Sequence, residues 1–386
     1  MTATAACTLP QPLHGPAFGS YAADEVSWLL TDLSSHRLEA PTAEREAAMQ
    51  SGAAHYAESL PIEYQPDEQY QRVFEAALAR SATRVAHAVG IVTELVLSAR
   101  GSGAVLVSLA RAGTPIGILM RRWAQFTRGI DLPHYTMSIV RGRGIDALAL
   151  DYLALHHDPR SVMFVDGWTG KGAIARELAQ AVHRDTAHRG STRCFDAGLA
   201  VLADPGSCVS LFGTRADFLV PSACLNSTVS GLVSRTVLNE RLIGPGDFHG
   251  AKFYAELADR DVSGHFLDAV SSRFEEVAPS VERDCQESRA GDRAPTWAGW
   301  SAIEQIAAEY AITDPNLVKP GVGETTRVLL RRVPWRVLVR PDALHELDHV
   351  LLLAEQRGVE VVEVANLPYS CVGMIRPHVL AGGRQA

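Results

Sequence analysis

Four short apolar runs separated by amphipathic ones constrain this chain more than any other feature. AVLVSLA (104–110), HYTMSIV (134–140), SVMFV (161–165) and GLAVLAD (198–204) are rich in β-branched residues, and helix-like runs beginning PIGILMRRW, IDALALDYLAL and AIARELAQAV lie between them. Strands without polar alternation need cover on both faces, and helices joining parallel neighbours supply it. The pattern therefore predicts an α/β fold on a parallel sheet. Ligands of such sheets sit beyond the carboxyl ends of the strands, and the loops there are SLARAGTP, RGRG, DGWTGKG and DPGS.

The rest of the chain is placed around that sheet. Residues 1–65 read as an extension packing on the main body, with DEVSWLLTDL helical by the spacing of Val26, Leu29, Leu30 and Leu33. The main domain spans 66–276 and opens with a long helix from Asp67 to the Gly101-Ser-Gly103 breaker. Residues 277–325 are polar and broken by Pro and Gly, a linker around one helix. Residues 326–377 form a small α/β unit: TRVLLRRVPWRVLVR strand-like, DALHELDHVLLLAEQRG helical, VEVVEV strand-like. Residues 378–386 are a tail.

The N-terminus lacks the basic start and apolar core of a signal peptide, and no run reaches the roughly 18 apolar residues of a membrane span, so a cytoplasmic protein without a membrane partner is expected. Six scattered cysteines, with no CxxC, argue for reduced thiols over a disulfide framework or zinc ribbon. A net charge of -8 disfavours nonspecific nucleic-acid binding by the whole chain.

Several motifs carry chemistry. DGWTGKG lacks the spacing and the hydroxyl of a Walker A loop, but strand, acid, glycine loop and helix N-terminus together suit an anion. RGRGIDA competes as a dinucleotide fingerprint, Gly142-x-Gly144-x-x-Ala147, with Asp166 as the ribose acid. HELDH (345–349) matches a zinc-protease pattern, yet helical projection turns both histidines to solvent, which leaves no metal held by protein ligands alone. Cys224 follows a proline in VPSACLN; a thiol there with His249 as base and Asp247 or Asp217 as orienter would make a cysteine hydrolase. Arg327, Arg331, Arg332, Arg336 and Arg340 surround Trp335, a cationic stretch with an aromatic for stacking a base of RNA.

Taken together, SLARAGTPIG resembles the pyrophosphate loop of type I phosphoribosyltransferases, and VMFVDGWTGKGAI resembles their phosphoribosyl-pyrophosphate loop. The resemblance implies a type I phosphoribosyltransferase-like sheet. Asp166, with Gly167 in place of the second acid, and Mg2+ would orient the ribose, and Thr169, Gly170, Lys171 and Gly172 would hold the 5′-phosphate. Arg111, Ala112, Gly113 and Thr114 would cradle pyrophosphate, with Arg141 or Arg143 closing over the developing charge. GSYAADEVSWLL, VPSACLNSTVSGLVSRTVLN, LIGPGDFHGAKFY and LPYSCVGMIRP resemble a bacterial family found with tellurite-resistance and stress gene clusters. Its members are described both as orotate-phosphoribosyltransferase-like proteins and as StiP-type cysteine proteases, with a pelota-type RNA-binding domain following. The expectation is a phosphoribosyltransferase-like protein binding a phosphoribosyl or nucleotide ligand, with RNA as a second partner and a homodimer left open. The alternatives are a cysteine hydrolase using Cys224 and His249, and a noncatalytic nucleotide or RNA sensor.

Overall fold

In the computed structural model, which describes residues 9–41, 44–45, 55–63, 68–189 and 194–376, every strand of the main sheet runs parallel to its neighbours. The strands are β1 (Ser27–Leu29), β2 (Val105–Leu109), β3 (His134–Met137), β4 (Val162–Trp168), β5 (Leu199–Ala203) and β6 (Leu211–Thr214), in the order β1-β3-β2-β4-β5-β6. Alternate residues feed opposite cores. Leu106, Met163, Val165, Ala200 and Leu202 join α1 (Glu68–Arg100), α2 (Thr114–Arg128), α5 (Ser263–Ser271) and α6 (Phe274–Ala290). Val105, Val107, Phe164, Leu199 and Val201 face α3 (Ala147–His156) and α4 (Ala173–Arg189). This two-sided burial is why the strands show no polar alternation. Helix α1 is long and apolar enough to cross a membrane by composition, but it is the central helix of this core.

DEVSWLLTDL departs from the helical expectation: Ser27–Leu29 is an edge strand of the main sheet, and Thr31–Asp32 pairs with Gly250–Ala251. Trp28, Leu29 and Leu30 are all buried, and a short run buried on both sides cannot be told from a helix by period. RGRG is the turn of a small antiparallel ribbon, Ile139–Val140 with Gly144–Ile145, so Gly142 and Gly144 serve positive φ (77° and 94°) and no dinucleotide loop forms. The stretch 277–325 holds most of α6, whose Val277 and Val281 pack in the main core, together with α7 (Ala298–Glu309) and the strand β7 (Val318–Pro320).

The C-terminal unit has a four-stranded sheet of β7, β8 (Pro334–Val339), β9 (Glu360–Glu363) and β10 (Cys371–Ile375), in the order β7-β10-β8-β9. Strand β10 is antiparallel to β7 and β8, and β9 is parallel to β8. The first half of TRVLLRRVPWRVLVR is helix α8 (Val322–Arg331), not strand, because Val322 and Leu329 turn inward onto the main core. HELDH is split between a 3-10 turn and α9 (Asp348–Gln356). His345 stays exposed, but His349 is buried with Nε2 3.2 Å from Thr326 Oγ1. Arg84–Glu346 (3.2 Å) and Arg80–Asp348 (3.7 Å) bridge α1 to this unit.

Candidate functional site

Chain order reverses between β2 and β4: from β2 the sheet grows one way to β3, then the other way to β4 and β5. Loops leaving the carboxyl ends of β2 and β4 therefore diverge and leave a crevice, where open α/β sheets hold their ligands. The two loops touch. A Cβ on Gly113 would lie 2.4 Å from Val165 O, and one on Gly167 would lie 3.2 Å from Ala112 O. Ala110–Arg111 is a cis peptide. Thr114, the first residue of α2, is buried with Oγ1 3.1 Å from Thr136 Oγ1.

Arg111 does not point at solvent. It donates to Val233 O (3.1 Å) and to the side-chain carbonyl of Asn226, and it lies 4.0 Å from Glu63. Glu63 in turn accepts from Ser227 N and Oγ, both at 2.8 Å. These bonds tie the turn carrying Cys224, the C-cap of Pro221–Ala223, to the β2 loop. That turn also meets the C-terminal unit: a Cβ on Gly323 would lie 3.2 Å from Ala223 Cβ and 3.4 Å from the Trp168 ring. Cys224 is fully buried.

The β4 loop is roofed by the C-terminal unit. Burial pushes the Asp166 carboxyl up to about 7, against the opposing pull of the amide of Gly167 (2.7 Å) and of Arg327. Arg327 stacks 4.5 Å from the Trp168 centroid and donates to Glu324 (3.0 Å), leaving its buried Nε without an acceptor. Ser222 Oγ, on the Cys224 turn, is likewise buried and unsatisfied, and buried polar atoms without a partner are uncommon in folded proteins. Thr169 bonds Asp204, Gly170 O accepts from Tyr369 Oη (2.9 Å), and Lys171 Nζ donates to Pro315 O (2.7 Å) and Asn316 Oδ1 (3.3 Å). Gly172 has φ 76°, and a Cβ there would lie 2.4 Å from Trp297. Beside this loop a cleft of about 270 Å³ is lined by Tyr56, Arg141, Lys171, Lys319 and Glu324 among others.

The other candidates lie on separate elements. Arg141 N donates to Tyr56 Oη (2.8 Å), while Arg143 is exposed at the ribbon turn. His249 Nδ1 lies 2.8 Å from Ser138 Oγ, and its amide donates to Asp146. Burial lowers its pKa while Asp146 opposes the shift. Ser138, not Asp247 or Asp217 as the sequence suggested, is the side chain against the His249 ring. Asp247 closes an exposed turn onto Gly244 N (2.9 Å). Asp217 is a latch, accepting from Val322 N (2.9 Å) and Ser370 N (2.8 Å), and burial pushes it up to about 6.

Two thiols are held protonated: burial beside Asp204 pushes Cys208 up to about 12, and burial beside Asp217 raises Cys371. Of the arginine stretch, Arg336 bonds Glu360 (2.9 Å) and Arg340 bonds Asp342 (2.6 Å). Trp335 is covered edge-on by Tyr310, Arg332 O accepts from Arg357, and the Arg331 side chain lies outside the described residues.

The family described as "Tellurite-like stress resistance cysteine protease StiP" matches residues 19–271, and the "PELOTA RNA binding domain" matches 297–377. The "Cysteine protease StiP" of Acinetobacter baylyi (strain ATCC 33305 / BD413 / ADP1) is 33% identical over 373 residues, covering 93% of this chain and 94% of the relative. The chain belongs to the StiP family. No solved structure matches it. Family and relative both carry a cysteine protease description, which overturns phosphoribosyl transfer as the activity.

Proposed function

We propose that this chain is a cysteine-dependent peptide hydrolase working at the carboxyl-end rim of the main sheet, with Cys224 as nucleophile and His249 as proton acceptor. The observation that carries it is the Arg111–Asn226 bond, which anchors the Cys224 turn at the switch-point loops. Ser138 occupies Nδ1 of His249, which leaves Nε2 for the thiol proton. The thiolate then attacks the peptide carbonyl carbon, the amine leaves with the proton, and water releases the acyl group. Because Cys224 is buried, substrate entry requires its turn to move away from α8. The order β3-β2-β4-β5-β6 supports kinship with the type I phosphoribosyltransferase architecture, a kinship of fold alone.

The test is casein hydrolysis by the wild type, Cys224→Ser and Cys208→Ser. Loss in the first variant at unchanged melting temperature, with Cys208→Ser active, is expected. Hydrolysis surviving in Cys224→Ser moves the nucleophile elsewhere. RNA binding by the C-terminal unit is a second reading, supported by its family match, and filter binding of a single-stranded oligonucleotide to the full chain checks it.

A further inference from the structure

The cleft beside the β4 loop gathers cations from three separate elements in a protein of net charge -8. Arg141 comes from the ribbon after β3, Lys171 from the β4 loop and Lys319 from β7, and all three line the same space. Lys171 and Arg141 both reach Asn316 Oδ1 at 3.3 Å. The Lys319 ammonium makes no hydrogen bond or ion pair among the described residues, although its side chain is largely enclosed. The acid in the lining, Glu324, is engaged by Arg327. The 17-residue helix α4 starts at Ala173 in the same wall and adds its positive end. Arg235 and Arg111 stand next in line, Arg235 reaching the carbonyls of Tyr56 and Ser59.

Glu324 and Asp314 act on Lys319 and Lys171 electrostatically, but neither closes an ion pair with them, and Glu324 is already bonded to Arg327. Enclosed charges lacking a direct partner are costly, so the arrangement makes sense when an anion completes it. Its chemistry favours a carboxylate over a nucleotide. The rings on which a base would stack are already covered by guanidinium groups, Arg327 on Trp168 at 4.5 Å, and Arg235 (5.2 Å) and Arg141 (5.8 Å) on Tyr56. Resting on the hydrolase reading above, we propose that this cleft is a specificity subsite that accepts an acidic residue of the peptide substrate, with Lys319 and Arg141 as the residues that select its carboxylate. Burial, then the neighbouring Lys319 and Arg141, pull Lys171 to about 7, and burial pulls Lys319 to about 8 although Glu324 opposes it; a bound carboxylate therefore draws protons onto them.

The experiment uses full-length Cys224→Ser, so that binding is read without turnover, and titrates hexaglutamate by calorimetry at pH 8 in two buffers of different ionisation enthalpy. Hexaglutamine, inorganic phosphate and hexauridylate are run beside it. Expected are binding of hexaglutamate alone, proton uptake on binding, and at least tenfold weaker binding in Lys319→Met and Arg141→Met. Equal binding of hexaglutamine, unchanged affinity in both variants, or binding of phosphate or hexauridylate without hexaglutamate overturns the proposal, the last two outcomes assigning the cleft to free phosphate or RNA. Hydrolysis of neutral peptides by the wild type without hexaglutamate binding removes this subsite and leaves the hydrolase. Hexaglutamate binding with no hydrolysis of any peptide removes the hydrolase and leaves an acidic-peptide site.

Discussion

Asp166→Asn separates the electrostatics of the buried loop from its packing, since the two side chains are nearly the same size. Asp166 is 9% exposed, and burial moves its carboxyl from 3.8 to about 7. Below pH 3.8 folded and unfolded chains both hold the proton, so the aspartate costs nothing extra. Between 3.8 and 7 the unfolded chain releases it while the folded chain keeps it, and stability falls by about 1.4 kcal/mol per pH unit. Above 7 the loss levels off at about 4 kcal/mol. The asparagine variant has no such loss. Urea unfolding of both proteins at pH 4.5, 6, 7 and 8 should show the variant gaining on the wild type by about 3 kcal/mol across that range. A difference that stays flat with pH would mean that Asp166 is ionised throughout, held by Arg327 and the Gly167 amide, and the burial argument fails. Adding Arg327→Met to the wild type should push the pH dependence still higher, because that guanidinium opposes the shift.

Three further outcomes follow from the same geometry. Asp217→Ala strands the amides of Val322 and Ser370; a cost of about 2–4 kcal/mol, with faster hydrogen exchange in α8 than in β2, is expected, and uniform exchange would remove its latch role. Gly113→Ala sets a Cβ 2.4 Å from Val165 O, so a melting temperature within a degree of wild type would contradict the close approach of β2 and β4. Ser138→Ala should lower kcat about tenfold with little change in KM and displace the acid limb of the pH profile; an unmoved profile means that His249 is not the base.

The core strands were legible because burial on both faces leaves AVLV and LAVLA without polar alternation. Ser27–Leu29 and Val322–Arg331 were not, since short apolar runs satisfy helix and strand spacing alike, and only their neighbours decided between them. The two glycine loops at the switch point announced themselves through residues that must tolerate close backbone contact. What roofs them did not. Lys319, Glu324 and Tyr369 lie some 150 residues or more further along, and no local spacing connects them to Lys171 or Gly170. Ser138 carried no signal at all, as a serine inside an apolar run reads as filler until His249 is found against it.

The apolar cluster on one face of the main sheet runs without a break through Val322, Leu329, Val337 and Val350 of the C-terminal unit. A polypeptide severed between 291 and 297, at the seam between the two family matches, would thus yield two fragments with greasy, uncovered walls. They would be sticky by themselves and soluble only when co-expressed, and the intact chain should melt in one cooperative step. Genetic shuffling that trades the C-terminal unit for another would fail at that wall before any question of activity arose.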